Sequence, residues 1–239
     1  MLAKASLHIH TKEDKIDGKI IKYNVYDLID QAYKLGFNVI AITPHEKYIF
    51  TEQHRSYAAQ KNILFIPGLE IEIAQNYFFR HHIILLNCES DIKTELENIT
   101  DYDKLKIFKR NHPEVFIMAA HPDFGRFESM GSRNLEKNID LFDGVELCWF
   151  YSNRFNLNKR SLSIAKKYDK PVIATSDAHT FDYFADDYCY IECEKLSAPE
   201  VIKSLRMRRV TNHSHPKSFF KIIMVYLKIE IKGIIKYFL

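Results

Sequence analysis

Residues 37–43 (FNVIAIT), 115–120 (VFIMAA) and 171–175 (PVIAT) are nearly unbroken apolar runs. A strand with one wet face alternates polar with apolar. A short run without alternation belongs to a strand covered on both faces, as in a parallel sheet flanked by helices. Helical periodicity fills the intervals, at about 25–35, where Leu28, Ile29, Ala32 and Leu35 share a face and Gly36 is the stop, at about 52–61 and at about 156–168. Strand–helix alternation recurs about seven times. A length of 239 residues suits one α/β barrel, and a hydrophobic fraction of 46% supplies its core. Parallel strands closed into a barrel bring their ends to one rim.

The polar residues fall at those ends. His8 and His10 alternate with Leu7 and Ile9 on a strand expected over 5–9, so both project from one face. Thr43-Pro44 ends the second run and His45 follows. Glu70 and Glu72 alternate with Leu69, Ile71 and Ile73; a carboxylate on that inner side is costly unless paired or metal-bound. His81-His82 opens an apolar strand over 83–86, one histidine facing in and the other out. His121 ends the 115–120 run, Glu146 lies in a strand over 144–149, and Asp177-x-His179 repeats the His-x-His spacing after 171–175. Each histidine alone is a surface or packing residue as readily as a ligand. Six histidines and several acids at one topological position form a polynuclear metal site. In the carboxylate-rich loop 11–18, Asp17 either completes this cluster or makes an ordinary Asp-Gly turn with Gly18.

Other chemistries are poorly served. Seven glycines include no Walker or dinucleotide-binding pattern, and no repeat or low-complexity block is present. Cys88, Cys148, Cys189 and Cys193 lack zinc-knuckle spacing and read as buried thiols. The N-terminus lacks the build of a signal peptide, so the expected location is cytoplasmic.

The series His8-x-His10, His45 after a buried strand, Gly68-x-Glu70, His82, Ala120-His121-Pro122 and Ser176-Asp177-x-His179 resembles the polymerase-and-histidinol-phosphatase (PHP) family, in family order from residue 5 to about 180. The resemblance implies a distorted (βα)7 TIM-like barrel with two or three divalent metal ions (zinc, manganese or iron) at the C-terminal rim of the strands. Carried over by position, the metal ligands are His8, His10, His45, Glu70, His82, His121, Asp177 and His179, with Asp17 as a ninth. Two departures stand out: Pro44 replaces an aspartate usual in the family, and the loop before Asp17-Gly18 is longer. Glu146 matches a recurrent strand acid, with metal contact left open. The implied activity is hydrolysis of phosphate esters by a metal-bridging hydroxide. His45 or His179 then serves as the catalytic acid for the leaving alcohol. Substrates would be a small phosphorylated metabolite, a nucleotide or a phosphoprotein. Arg126 and Arg154 are candidate phosphate contacts, or surface ion-pair residues, with Arg80 a weaker candidate. A metallohydrolase of amide or carboxylic ester bonds and a non-catalytic PHP-like regulatory domain are the alternatives.

The barrel domain is expected over 1–215, followed by a basic amphipathic helix over 216–239. From Lys203 onward there are nine Lys/Arg and one acid, Glu230, a net of +8, which leaves 3 − 8 = −5 for the first 202 residues. Lys221, Lys228, Lys232 and Lys236 share one helical face, and apolar residues fill most of the remainder. The stretch is too interrupted to span a bilayer. It reads as an interfacial helix on anionic lipid, which would make the chain a peripheral membrane protein, or as a helix packed on the barrel or in a self-association interface.

Overall fold

The structure, a computed structural model, describes residues 1–75, 79–124, 128–224 and 227. Among the described residues, nine strands form one sheet: β1 (Leu2–Ser6), β2 (Val39–Ile42), β3 (Leu64–Ala74), β4 (Arg80–Leu86), β5 (Phe116–Ala119), β6 (Gly144–Cys148), β7 (Val172–Thr175), β8 (Tyr188–Glu192) and β9 (Val210–His213). Their order is β7-β6-β5-β4-β3-β2-β1-β8-β9. β1, β2 and β3 pair in parallel, as do β5, β6 and β7. The two ends of the sheet nearly meet. Ala174 N donates to Asn212 Oδ1 (2.8 Å) and Asn212 Nδ2 donates to Val172 O (2.9 Å), linking β7 to β9. Past the ladders, Ile9 bridges Ala178, and His10 N donates to Ala178 O at 3.1 Å. The result is an α/β fold with a nearly closed barrel-shaped sheet.

The alternation departs from a uniform parallel barrel at two strands, β8, which is antiparallel to β1 and β9, and β4, which lies beside the metal-ligand candidates. β4 is antiparallel to both β3 and β5. Only residues 75–79 separate β3 from β4, too few for the crossover that a parallel connection requires. The reversal puts the start of β4, with His82, at the rim where the other strands end.

Local chemistry fixes the helices. Val25–Lys34 has a full capping box, Asn24 with Asp27, buries Leu28, Ile29 and Ala32, and stops before Gly36 at φ 71°. The helix expected from 156 instead spans Lys159–Lys167. The Asn158 side chain is spent on the Cys148 backbone, accepting from its N (3.1 Å) and donating to its O (2.9 Å). Inside the barrel Leu7, Ala41, Ile66, Ile84, Phe116 and Met118 pack together, all fully buried. The four cysteines are free and buried.

After β9 the chain returns to the barrel rim: Lys217 N donates to Tyr151 O (2.7 Å), and Lys217 Nζ pairs with Asp187 (2.6 Å). Residues 219–224 are helical. Lys228, Lys232 and Lys236 lie outside the described residues. Among the described residues, no helix is long and apolar enough to cross a membrane.

Candidate metal centre

The ladder of β1 ends at Ser6, two residues short of the first histidine, yet the extended chain keeps its alternation. Thr43 N donates to Ile9 O at 2.9 Å on one side, and Ala178 pairs with Ile9 on the other. His8 and His10 therefore project together into the rim, their Nε2 atoms 3.1 Å apart and both rings fully buried.

Glu70, on β3, is the hub. Its Oε2 lies 3.0 Å from His8 Nε2, 3.2 Å from His10 Nε2 and 3.2 Å from His45 Nε2. Its Oε1 lies 2.9 Å from His82 Nδ1 and 3.3 Å from His121 Nε2. Asp177 Oδ1 closes the ring, 3.2 Å from His10 Nε2 and 3.4 Å from His8 Nε2. His121 and Asp177 leave their strands with φ of 26° and 46°, in the left-handed region that turns each strand end inward. His179 sits at the open side, its Nε2 3.1 Å from Asp17 Oδ2.

The structure brings together eight of the nine residues expected as ligands around this hub, with Asp17 at its edge on His179. Sequence reasoning missed Asp14. That carboxylate is buried between two imidazoles: Oδ2 is 2.9 Å from His10 Nδ1 and 3.1 Å from His45 Nδ1, and it accepts from His45 N at 2.8 Å. Its Oδ1 accepts from Ile16 N (2.7 Å) and Asp17 N (2.9 Å), which folds the loop around it. The sequence held the signal, since Asp14 opens an Asx-type turn four residues after His10. Glu146 faces away from the ring centre. Its Oε1 is 2.8 Å from His8 Nδ1 and accepts from Thr175 Oγ1, while its Oε2 accepts from His121 N.

The alternation expected at His81-His82 is visible in the geometry. His82 enters the ring, and His81 points to the other side, its Nδ1 2.7 Å from the Tyr102 hydroxyl. Glu72 shares the face of Glu70 but ion-pairs with Arg80. Arg80 is thus engaged by a carboxylate, Arg154 is exposed on the loop after β6, and Arg126 lies outside the described residues.

The donor set fits divalent cations. His82 Nδ1 and Asp177 Oδ1 are buried without a hydrogen-bond partner among the described residues, despite lying 2.9 Å from Glu70 Oε1 and 3.2 Å from His10 Nε2, whereas His82 Nε2 faces Glu72 Oε1 at 3.5 Å. Lone pairs that converge without bonding one another are arranged for a common partner. Among the described residues, three groups have ligand atoms within 4.8 Å of one another: His8/His10/Asp177, His10/Asp14/His45 and His45/Glu70/His82. Mixed imidazole and carboxylate donors suit zinc, manganese or iron. Electrostatics shows what such charge does here. Burial opposes the charged form of His8, yet Asp177, Glu146 and Glu70 hold its imidazole up at about 10. Burial would raise the Glu70 carboxyl, but His8, His45 and His82 hold it well below the usual carboxylate range. The ring is a cluster of anions that gathers positive charge.

A PHP-associated family profile matches residues 156–210, the span that holds β7, Asp177, His179 and β8. None of the curated proteins matches the chain in sequence. Solved structures share the fold. A two-domain protein from Bacteroides vulgatus, containing a predicted PHP-like metal-dependent phosphoesterase, superposes at TM-score 0.66 and 17% identity, over 95% of this chain and 70% of that one. The lesion-specific endonuclease PfuEndoQ from Pyrococcus furiosus gives 0.60 at 15% identity, over 87% of this chain and 56% of that one. An amidohydrolase from Chromobacterium violaceum with bound sulfate gives 0.55 at 14% identity, over 89% and 99%. In motif order, in fold and in its 156–210 segment, this chain is PHP-like.

Proposed function

We propose that this chain is a metal-dependent hydrolase of phosphate esters, with two or three divalent cations (zinc, manganese or iron) shared among His8, His10, Asp14, His45, Glu70, His82, His121 and Asp177. The observation that carries the reading is the convergence of His82 Nδ1 and Asp177 Oδ1, buried ligand atoms that make no hydrogen bond among the described residues, with Glu70 and the Nε2 atoms of His8 and His10. When bound, such cations supply an activated water near neutral pH and neutralise phosphoryl charge.

The chain's own groups do the rest. Glu146 fixes the ring of His8 through Nδ1, leaving Nε2 for the centre. His179 stands at the open side, with Asp17 accepting at its Nε2, and is the better placed of the two candidate acids to protonate a departing alkoxide. His45 is deeper, between Asp14 and Glu70. Arg154, exposed at the same rim, is free to reach a phosphate oxygen, and Arg126 is the second candidate. A phosphorylated small molecule or nucleotide is the proposed substrate, and the cytoplasm the proposed compartment.

The same water would cleave an amide or carboxylic ester, and the amidohydrolase among the structural neighbours favours that as the second reading. Elemental analysis of the purified protein, paired with 4-nitrophenyl phosphate and bis(4-nitrophenyl) phosphate hydrolysis before and after chelation, separates the two. Bound metal with chelator-sensitive release supports the phosphoesterase. Bound metal without turnover of either ester moves the assignment to amides and carboxylic esters, and absence of bound metal sinks both.

A further inference from the structure

The helical turn that starts at 219 is seated on the barrel by Ile222, with Lys221 Nζ 3.9 Å from Asp186 Oδ2 beside it. Ile222 is 1% exposed and packs with Cys148, Trp149 and Phe150. On the opposite side, at the spacing i, i+4, i+7, Phe220, Met224 and Leu227 are 78%, 56% and 49% exposed. A surface helix ordinarily turns its apolar stripe toward its own protein; this one turns it outward. Lys221 borders the stripe and is half exposed. In sequence both patterns continue: Lys228, Lys232 and Lys236 follow Lys221, while Ile231, Ile235 and Phe238 follow Phe220.

We propose that this stripe is an interfacial anchor for an anionic lipid bilayer. Charge selects the occupant. Residues 218–239 carry four lysines, Lys221, Lys228, Lys232 and Lys236, against one acid, Glu230, so a second copy of the segment laid stripe to stripe would set like charges against each other. A bilayer rich in anionic headgroups accepts both features, with the apolar stripe at the acyl boundary and the lysines reaching up to phosphate or carboxylate groups. The anchor also has an orientation. Ile222 stacks on the loop after β6, at the rim of the metal centre, and Phe124, packed on that same cluster, meets the His121 ring edge-on at 5.9 Å. Membrane contact therefore turns the open rim of the barrel toward the lipid surface.

The test is co-sedimentation of the full chain with vesicles of phosphatidylcholine alone or with about one third phosphatidylserine. Binding to the anionic vesicles is expected, weakened at least about tenfold without the anionic lipid, in high salt, or by the pair Phe220→Ser and Met224→Ser. Those side chains contribute little to the barrel, so the variant keeps its circular dichroism and thermal midpoint. Absence of binding to anionic vesicles overturns the proposal, as does binding that the two substitutions leave unchanged. A monomer–dimer equilibrium in light scattering, abolished by the same pair in protein that ignores vesicles, overturns it in favour of self-association. None of these readouts depends on catalytic turnover.

Discussion

Glu146 stands behind His8, its Oε1 2.8 Å from Nδ1, so that Nε2 is aimed at Glu70 and Asp177. The same carboxylate accepts from Thr175 Oγ1 and from His121 N, tying β6 to residues of β7 and the loop after β5. Glu146→Gln keeps the shape but weakens these links. Metal affinity is expected to fall by about 10–100-fold with the fold retained, as for other residues that orient a ligand. Competitive chelator titration measures it, and wild-type affinity in the variant would remove Glu146 from this role.

Asp14 and Asp17 should separate on substitution. Asp14→Asn takes charge from a buried site shared by His10 and His45, so bound metal is expected to drop by one equivalent in elemental analysis. Asp17→Asn leaves the count intact and instead alters the pH–rate profile, because its partner is His179 at the open side. Equal metal loss in the two variants would contradict this division.

Gly18 is where the loop folds most tightly on itself. A Cβ there would collide with the carbonyl oxygens of Lys12 and Asp14, which are backbone and cannot swing aside. Gly18→Ala is expected to cost about 1–3 kcal/mol in denaturant unfolding and to weaken metal binding by displacing Asp14. A fully stable variant with normal metal content would show that the loop relaxes freely.

His81 gives the fold an acid-sensitive element. Burial, aided by the neighbouring His82, pushes its imidazole down to about 4 from an ordinary value of about 6.5. A depressed folded-state value means that the unfolded chain binds the proton more readily. The contribution of His81 to stability is present above pH 6.5 and is lost as the pH falls toward 4. In His81→Gln, urea midpoints measured across that interval should decline less steeply than in the wild type; parallel curves would argue against it.

Much of this was legible in the residues. Unalternated apolar runs announced the covered sheet, and the order of the polar strand ends announced which side chains gather at the rim. What escaped had physical reasons. The reversal of β4 depends on the shortness of 75–79, a property of connection length rather than of strand pattern. The position of Asp14 depends on how a polar loop folds on itself, set by Gly18 and by backbone amides that carry no compositional signature. The role of Glu146 lay beyond sequence because alternation gives the face of a strand but not which neighbour the carboxylate reaches.

The pairing of Ile9 with Ala178 has a consequence for assembly. It joins the first strand of the barrel to the seventh, and each side of that seam brings two ring members, His8 and His10 from one and Asp177 and His179 from the other. Glu70 and His82, by contrast, sit on adjacent strands of a hairpin that closes locally. A cation shared across the seam would act as a clasp on the chain, joining segments far apart in sequence whose encounter carries a large loop-closure entropy. Half of the centre can form early with the hairpin, and the other half only when the barrel shuts, so that metal uptake reports closure itself.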